Sequence, residues 1–319
     1  MKKILVLGGT GFVGRHLCEK LSRHGYRITV PTRRCSNAQL VQSLPMLDVL
    51  EVNIHDPVAL AALVTGHDAV VNLIAILHGD EASFEHAHVE FPKKLAAACQ
   101  HACVKRVVHI SALGAATDAP SMYQRSKARG EAVLQASGLD ITVLRPSVIF
   151  GADDKFLNLF AKLQAVFPVM PLAGAATKFQ PVWVEDVAQA VVNCLIQHAV
   201  QKNKIFEACG PDVVTLKELV QMSAIMANVN NGQPRPVLSL PPFLGTLQAL
   251  AMRLLPGEPL ISQDNLDSMK VDNVASGELP GLQTLDITPS ALAAIVPTYL
   301  GNGSVLRQQL ALRKTAGRF

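Results

Sequence analysis

The chain has 319 residues, of which 49% are hydrophobic and 17% are charged, and its formal net charge at pH 7 is +4. A chain of this length and hydrophobic content can bury a large core, so the composition excludes an intrinsically disordered protein. The net charge is small for this length and does not indicate nucleic-acid binding, so we expect no nucleic acid as a partner.

The first predicted strand and the glycine-rich turn after it form the clearest pattern in the sequence. Residues 4–7 are an unbroken apolar run, as in a strand buried within a parallel sheet, and an amphipathic helix is predicted over residues 12–23. Between them, Gly8 permits the turn, Gly11 lets a pyrophosphate approach the backbone and Gly14 lets the helix pack closely. The predicted pyrophosphate-binding residues are Gly8, Thr10, Gly11, Phe12, Val13 and Gly14.

The N-terminus and the cysteines favour a cytoplasmic protein. Lys2, Lys3 and the apolar run after them imitate a signal peptide, but the run is too short and glycines interrupt it. The six cysteines contain no CxxC pair, so we expect reduced thiols. Cys99 and Cys103 lie four residues apart with His101 between them, and we expect buried helix cysteines there and no metal.

The second predicted strand, residues 27–30, is followed by Thr32-Arg33-Arg34. An acidic residue at this place would bind the ribose hydroxyls of NAD, whereas guanidinium groups suit the 2′-phosphate of NADP, and no carboxylate is expected there to repel it. We therefore favour NADP(H) as the cofactor, with NAD(H) as the alternative, and expect Arg33 and Arg34 to bind it. The other interpretation is that one or both arginines are only solvated.

Strand and helix patterns alternate up to about residue 150. This alternation predicts an α/β fold, a Rossmann-type doubly wound parallel sheet, in which ligands bind at the carboxyl ends of the strands. Further strands are predicted at residues 49–52, 69–75, 104–110 and 140–145, and helices at 57–65, 83–101 and from 121 onward. Residues at these strand ends complete the predicted cofactor site: Asn53, Ile54, Leu73, Ala75 and Pro146.

Three residues after the third predicted helix, Ser111, Tyr123 and Lys127, predict a chemical function. Ser111 stands at the carboxyl end of the fifth strand, and Tyr123 and Lys127 share one face of the next helix because they are four residues apart. A nearby ammonium lowers the pKa of a tyrosine hydroxyl and makes it a better acid/base, and Ser111 can hold a carbonyl or alcohol oxygen. The competing interpretation is that Tyr123 packs under the loop and Lys127 is solvated.

The pattern changes near residue 150. We predict an NAD(P)-binding domain over residues 1–150, with 180–210 returning to it, and a smaller carboxyl-terminal lobe for substrate or partner over 151–179 and 211–319. In this lobe, Thr215 and Glu218 predict a capping box. Residues 243–255 are apolar except for Arg253, and we expect them to pack against the protein itself; an apolar substrate, a partner or a membrane surface are the alternatives. The tail carries positive charge at Arg307, Arg313, Lys314 and Arg318.

With these motifs, the chain resembles the extended or atypical short-chain dehydrogenase/reductase superfamily, which is NAD-dependent epimerase/dehydratase-like. It is similar to the branch that contains the nucleotide-binding accessory subunit of respiratory complex I and its bacterial relatives. The matching stretches, besides residues 8–14, include His109-Ile110-Ser111-Ala112, Tyr123-Gln124-Arg125-Ser126-Lys127, Leu144-Arg145-Pro146-Ser147, Glu258-Pro259-Leu260 and Val271-Asp272-Asn273.

The resemblance implies a Rossmann-type domain that binds NADP(H), with Lys127 also contacting the cofactor ribose. Together with the low charge of residues 243–255, it favours an oxidoreductase acting on a carbonyl or alcohol of an apolar, quinone- or isoprenoid-like substrate. One alternative is a non-catalytic accessory or assembly factor of a respiratory or ubiquinone-synthesis complex, peripheral on the inner face of the membrane. A further alternative is a sugar-nucleotide epimerase or dehydratase. Many catalytic members carry an Asn for proton relay in the helix before the fifth strand. That helix has no Asn here, and His88 is the candidate substitute.

Overall fold

The computed structural model describes residues 2–197, 203–252 and 262–300. The described chain divides into two compact units, the first built from residues 2–147, 184–197, 203–209 and 275–289 and the second from the remainder. Residues 275–289 were expected in the smaller lobe. They join the first unit because the Glu207 carboxylate accepts the Ser276 amide at 2.7 Å and the Glu207 amide donates to the Pro280 carbonyl at 3.0 Å.

The described strands and helices are as follows. The strands are β1 (Lys3–Leu7), β2 (Arg27–Thr32), β3 (Leu47–Glu51), β4 (Ala69–Asn72), β5 (Arg106–Ile110), β6 (Asp140–Pro146), β7 (Ile149–Phe150), β8 (Met170–Ala173), β9 (Lys178–Phe179), β10 (Val182–Trp183), β11 (Ile205–Ala208), β12 (Val214–Thr215) and β13 (Val237–Leu240). The α-helices are α1 (Phe12–Arg23), α2 (Pro57–Val64), α3 (Glu81–Glu85), α4 (Phe91–His101), α5 (Met122–Gln135), α6 (Leu157–Val166), α7 (Val184–Ile196), α8 (Leu216–Met226), α9 (Pro242–Met252), α10 (Gln263–Ser268) and α11 (Leu292–Leu300).

The first unit is built on a parallel sheet, which among the described residues has seven strands in the order β11-β6-β5-β4-β1-β2-β3. The chain runs outward from β1 to β3 and then returns to add β4 on the other side of β1. The carboxyl ends of β1 and β4 therefore flank the topological switch point, where ligands bind in such sheets. The predicted Rossmann-type fold is confirmed.

The core beneath one face of this sheet holds the site in place. Side chains of β1 and β5 pack against α2, α4 and α5, and each fully buried large apolar side chain contributes about 1.5–3 kcal/mol. The cluster includes Leu5, Leu7, Leu60, Phe91, Leu95, Val107 and Leu134.

The structure corrects three predictions in the first unit. The fourth strand ends at Asn72 rather than at Ala75, because the Asn72 side chain accepts the Ile74 amide at 3.1 Å and turns the chain out of the sheet. The helix predicted over residues 83–101 contains a π-helical turn, His86–Glu90, between α3 and α4. Cys103 is not a buried helix cysteine: it is exposed, beyond the end of α4, with a φ of 56°.

Among its described residues, the second unit contains three two-stranded pairings, β7 with β10, β9 with β12 and β8 with β13. The predicted capping box is present at the start of α8, where the Thr215 hydroxyl accepts the Glu218 amide and the Glu218 carboxylate accepts the Thr215 amide. The apolar core of the second unit contains side chains of α6, α8 and α11. It includes Phe150, Leu157, Phe179, Leu219, Leu292 and Val296.

Helix α9 departs from the expectation that its apolar side chains are buried. Phe243, Leu247 and Leu250 are 69%, 60% and 56% exposed. The helix meets β8 through Gly245, where an added Cβ would lie 2.8 Å from the Ala173 Cβ, so its larger side chains face outward. Residues 253–255, the matching stretch 258–260 and the basic residues of the tail lie outside the described residues. No helix in the described part of the chain is long and apolar enough to cross a membrane.

Candidate functional site

The glycine-rich turn leaves backbone accessible at the N-terminus of α1, where a phosphate group could bind. Gly8 has a φ of +85°, and the Gly11 amide donates to the Gly8 carbonyl at 3.0 Å. A Cβ added to Gly14 would lie 2.3 Å from the Gly8 oxygen, so no other residue lets α1 begin this close to β1. Gly11 is exposed, and no side chain caps the first turn of α1. An uncapped helix N-terminus at a switch point fits the pyrophosphate of a dinucleotide.

The rest of this segment and the loop after β4 meet at the same edge of the sheet. Thr10, Phe12 and Val13 are half-buried. A Cβ added to Gly8 would lie 3.2 Å from the Leu73 Cβ, so these two predicted cofactor residues are neighbours. Ala75, two residues further along, is exposed.

The arginines after β2 are exposed, and within the described part of the chain no carboxylate forms an ion pair with Arg33 or Arg34. The expectation that no carboxylate lies near this loop is wrong. Glu51 is the register partner of Thr32, and its carboxylate accepts the Cys35 amide at 2.9 Å. The sequence interpretation missed this residue because it belongs to the neighbouring strand.

Asn53 and Ile54, which were predicted to bind the cofactor, follow β3, but only Asn53 is exposed. The Asn53 side chain accepts the His55 amide at 3.1 Å, and Ile54 packs against the apolar core. Pro146 is buried at the end of β6, where its carbonyl accepts the Leu113 amide at 2.9 Å. Pro146 therefore holds the loop that follows Ser111.

Ser111 lies directly after β5 with its backbone tied to the sheet, because its amide donates to the Leu144 carbonyl at 2.8 Å. The residue is only 4% exposed, and its Oγ has no hydrogen-bond partner among the described residues. A buried polar atom without a partner costs roughly 1–3 kcal/mol, so it marks a place where a ligand oxygen can bind.

Tyr123 and Lys127 lie on α5, which begins at the N-cap Ser121. Lys127 is 1% exposed, and its Nζ donates to the Ile110 carbonyl, the residue before Ser111, at 2.7 Å. Burial lowers the pKa of Lys127 to about 8, and the Glu131 carboxylate opposes this shift by raising it. The competing interpretation of a solvated lysine is wrong.

One turn further along α5 lies a buried ion pair that sequence reasoning missed. Glu131 is 2% exposed, and Arg145 of β6 donates to both of its carboxylate oxygens, with the shortest contact at 2.6 Å. The four-residue spacing of Tyr123, Lys127 and Glu131 could have indicated that Glu131 shares their helix face. The spacing could not indicate that Arg145 of β6 is its partner.

A second buried polar pair joins β4 to β5, two residues before Ser111. The Asn72 amide group lies 3.1 Å from Nδ1 of His109, and both side chains are at least 98% buried. Burial lowers the pKa of His109 well below its ordinary value, with Lys127 acting in the same direction. His109 is therefore neutral and adds no charge to the site.

The model of the NAD dependent epimerase/dehydratase family matches residues 4–209, which is more than half of the chain. The chain belongs to this family. This confirms the resemblance to the nucleotide-binding reductases and epimerases that the motifs indicated. The matched stretch contains the glycine turn, Ser111, Tyr123 and Lys127.

Relatives and solved structures agree with this family. The chain is 30% identical over 309 residues to NADH dehydrogenase (ubiquinone) 1 alpha subcomplex subunit 9, mitochondrial, of Arabidopsis thaliana, with 92% of this chain and 76% of that protein covered. It is 32% identical to the protein of the same name from Mus musculus, with 90% and 76% covered. A ceramide reductase of Caulobacter vibrioides is 28% identical over 190 residues, 59% of each chain.

Among solved structures, an NADPH-dependent quinone oxidoreductase of Escherichia coli in complex with NADPH has a TM-score of 0.74 at 20% identity, covering 92% of this chain and 98% of that one. A dTDP-glucose 4,6-dehydratase of Streptomyces venezuelae with NAD bound has a TM-score of 0.71 at 20% identity, covering 93% and 95%. These two likenesses concern the fold, and this fold holds NADPH in one case and NAD in the other.

The residues of this family member fit a nicotinamide dinucleotide. The turn at residues 8–14 provides close-approach backbone at the switch point, and the orphaned Ser111 oxygen and the buried Lys127 ammonium lie at the carboxyl edge of the same sheet. No group of three or more metal-ligating side chains occurs among the residues that the structure describes.

Proposed function

We propose that this protein is an NADP(H)-dependent oxidoreductase that acts on a carbonyl or alcohol of an apolar, quinone- or isoprenoid-like substrate. The observation that carries the proposal is the buried Ser111 hydroxyl, which has no hydrogen-bond partner among the described residues. Ser111 directly follows Ile110, whose carbonyl accepts a hydrogen bond from the buried Lys127 ammonium. A structural scaffold would gain stability by satisfying or removing that hydroxyl. A carbonyl oxygen supplies the missing hydrogen-bond partner.

Each of the three side chains has a separate role in this proposal. Ser111 Oγ donates a hydrogen bond to the substrate oxygen and orients it. Tyr123 gives its phenolic proton to that oxygen during reduction, or accepts it during oxidation. Lys127 carries positive charge in a low-dielectric environment, which favours the phenolate form of Tyr123 and suits a ribose hydroxyl of the cofactor. When bound, the nicotinamide cofactor supplies or accepts the hydride.

NADP(H) is preferred to NAD(H) in this proposal because Arg33 and Arg34 are exposed and unpaired at the end of β2, within the described residues. Guanidinium groups recognise phosphate by paired hydrogen bonds. Glu51 is an argument for NAD(H), because a nearby carboxylate repels a 2′-phosphate. However, the Glu51 carboxylate already accepts a hydrogen bond from the Cys35 amide. We therefore expect the two arginines to outweigh Glu51 and to favour NADP(H).

The apolar substrate class is supported by the low charge of residues 242–252 and by two related reductases. These are the ceramide reductase and a farnesyl-substituted quinoline oxide ketoreductase of Stigmatella aurantiaca, which is 31% identical over 176 residues. Both names describe carbonyl or alcohol chemistry on molecules with long hydrocarbon parts. An apolar carbonyl compound is thus the first substrate class to test.

The test begins with the purified protein. Any nucleotide released by denaturation is identified, and the stripped protein is titrated with NADPH and NADH and then assayed for NADPH consumption with 9,10-phenanthrenequinone as an apolar carbonyl probe. We expect reversible binding that favours NADPH, and NADPH consumption that depends on Ser111. A preference for NADH would overturn the cofactor proposal. Conversion of a sugar nucleotide without net NADPH consumption would identify an epimerase instead.

A second candidate is a non-catalytic accessory factor of a respiratory or quinone-synthesis assembly at the inner face of the membrane. It is supported by the similarity over about nine-tenths of the chain to the NADH dehydrogenase subunits and by the exposed apolar side chains of α9. It predicts a tightly retained, slowly exchanging nucleotide. It also predicts co-sedimentation with membranes that is lost in Phe243→Ser/Leu247→Ser/Leu250→Ser but kept in Val58→Ser, an exposed position in the first unit.

A further inference from the structure

His88 is buried in the π-helical turn between α3 and α4, where its side chain links two other parts of the first unit. Its Nε2 accepts the backbone amide of Ile76, in the loop after β4, at 3.1 Å. Its Nδ1 lies 2.8 Å from the Ser126 hydroxyl of α5. One imidazole ring therefore connects the loop that follows Leu73 and Ala75 with the helix that carries Tyr123.

The direction of these hydrogen bonds follows from the donors involved. The Ile76 amide can only donate, so Nε2 must be the unprotonated nitrogen. Burial, assisted by Lys127, lowers the pKa of His88 to about 3, so the ring is neutral and its proton is on Nδ1. Nδ1 then donates to Ser126 Oγ, which in turn donates to the Tyr123 carbonyl at 2.8 Å.

The rings around His88 reinforce this link. The Tyr123 ring meets the His88 ring edge-on, with centroids 5.5 Å apart and an angle of 81°. Phe84 stacks against His88 at 5.6 Å and contacts the Tyr123 ring at 6.0 Å. A Cβ added to Gly130 would lie 1.9 Å from the His88 carbonyl oxygen, so only glycine lets α5 pack directly on this turn.

We infer that His88 is a positioning residue that holds the loop after β4 in register with Tyr123. The inference depends on the proposed oxidoreductase function, because that loop and that tyrosine are its predicted cofactor and proton-transfer groups. His88 is not a proton relay, since both of its nitrogens are committed to Ile76 and Ser126. It acts through geometry, and its neutral form is required because a protonated Nε2 would repel the Ile76 amide.

The first experiment uses the unliganded protein, so it needs neither cofactor nor substrate. Amide hydrogen exchange of Ile76 and of residues 122–127 is compared in wild type, His88→Leu, His88→Gln and Ser126→Ala. We expect His88→Leu to speed exchange at Ile76 on the order of tenfold, because a buried amide loses its acceptor. In His88→Gln the two amide atoms can replace both nitrogens, so exchange should return close to the wild-type rate.

Ser126→Ala keeps the Ile76 bond and breaks the bond to α5, so it should speed exchange over residues 122–127 but not at Ile76. The Ser126→Ala variant also tests the link between His88 and α5 if the His88→Leu protein does not fold. His101→Leu, an exposed histidine at the end of α4, is the matched control and should leave both regions unchanged. Wild-type exchange at Ile76 in His88→Leu, or over residues 122–127 in Ser126→Ala, would overturn the link.

The second experiment separates this inference from the proposed function. The chain has three tyrosines, so selective 13C labelling of the tyrosine ring and a Tyr123→Phe variant identify the Tyr123 signal. We expect NADPH to shift this signal in wild type and His88→Gln, and to shift it far less in His88→Leu. If NADPH binds and moves the signal equally in all three, the positioning role is wrong. If neither wild type nor any variant binds NADPH, the proposed oxidoreductase function is wrong, and the positioning role is wrong with it. The exchange data would still test whether His88 connects Ile76 to Ser126.

Discussion

The turn at residues 8–14 and the helix face at residues 123–131 belong to the same unit, but they depend on opposite properties of their residues. The turn works because side chains are absent: an added methyl at Gly14 would overlap the Gly8 carbonyl. The face of α5 works because polar side chains are buried there, with Lys127 1% and Glu131 2% exposed. Substitutions in the turn should therefore act through steric overlap, and substitutions on α5 should act through charge and hydrogen bonding.

The largest effect is expected from Gly14→Ala. Its Cβ would lie 2.3 Å from the Gly8 oxygen, so the turn or α1 must shift, at a cost of roughly 3 kcal/mol or more. We expect a lower free energy of unfolding and loss of NADPH binding, measured by urea denaturation and by fluorescence titration. Gly25→Asn is the matched control, because this left-handed position tolerates Asn and has no atom within 4 Å of an added Cβ. Unchanged binding in Gly14→Ala would contradict the steric account.

Tyr123→Phe tests the opposite mechanism, since it removes one oxygen and almost no volume. Loss of a general acid/base typically lowers kcat by about 10²- to 10⁴-fold. We expect this loss of NADPH-dependent turnover, with the dissociation constant for NADPH within about twofold of wild type. Tyr26→Phe, on the loop before β2, should leave both quantities unchanged. Retained turnover in Tyr123→Phe would exclude the proposed role.

Lys127→Met should stabilise the unliganded protein while it impairs the site. The pKa of Lys127 is about 8 in the folded protein and about 10.4 in an unfolded chain, so the unfolded state binds more protons between these values. The cost of burying this charge is therefore fully present below pH 8 and disappears as the pH rises towards 10.4. Allowing for the lost bond to Ile110, we expect a gain of about 1–3 kcal/mol at pH 7.

Urea denaturation at pH 7 and pH 10 measures this change. The gain should be smaller at pH 10, and turnover should be lost at both values. Lys93→Met, on the exposed side of α4, should alter the free energy of unfolding by less than about 0.5 kcal/mol. A destabilised Lys127→Met protein at pH 7 would show that the Ile110 bond outweighs the cost of burial.

The smallest effects are expected at the edge of the nucleotide site, where Arg33 and Arg34 are exposed. Removing one phosphate contact in solvent costs on the order of tenfold in affinity, and NADH lacks that phosphate. We expect Arg33→Ala or Arg34→Ala to weaken NADPH binding about tenfold and to leave NADH binding unchanged, and Arg23→Ala to affect neither. Equal losses for both nucleotides would assign the arginines another role.

Much of the site was readable because its signals are local. The glycine spacing involves residues within a few positions of one another, as does the capping box of Thr215 and Glu218 in the second unit. The four-residue spacing of Tyr123 and Lys127 likewise places both on one helix face. The boundary of β4 was not readable, because a side-chain bond from Asn72 to the Ile74 amide replaces the next ladder contact.

The parallel sheet, the glycine-rich turn and the three proposed site residues could be predicted from the sequence, because short-range hydrogen bonding and hydrophobic periodicity specify them. The burial of Lys127 and the contact of Arg145 with Glu131 could not be predicted in this way. The same is true of His88, which contacts Ile76 and Ser126, 12 and 38 residues away in the chain. These contacts depend on which faces of β4, β5, β6 and α5 pack together. No spacing along the chain encodes the distance between two side chains that meet only after the sheet has formed.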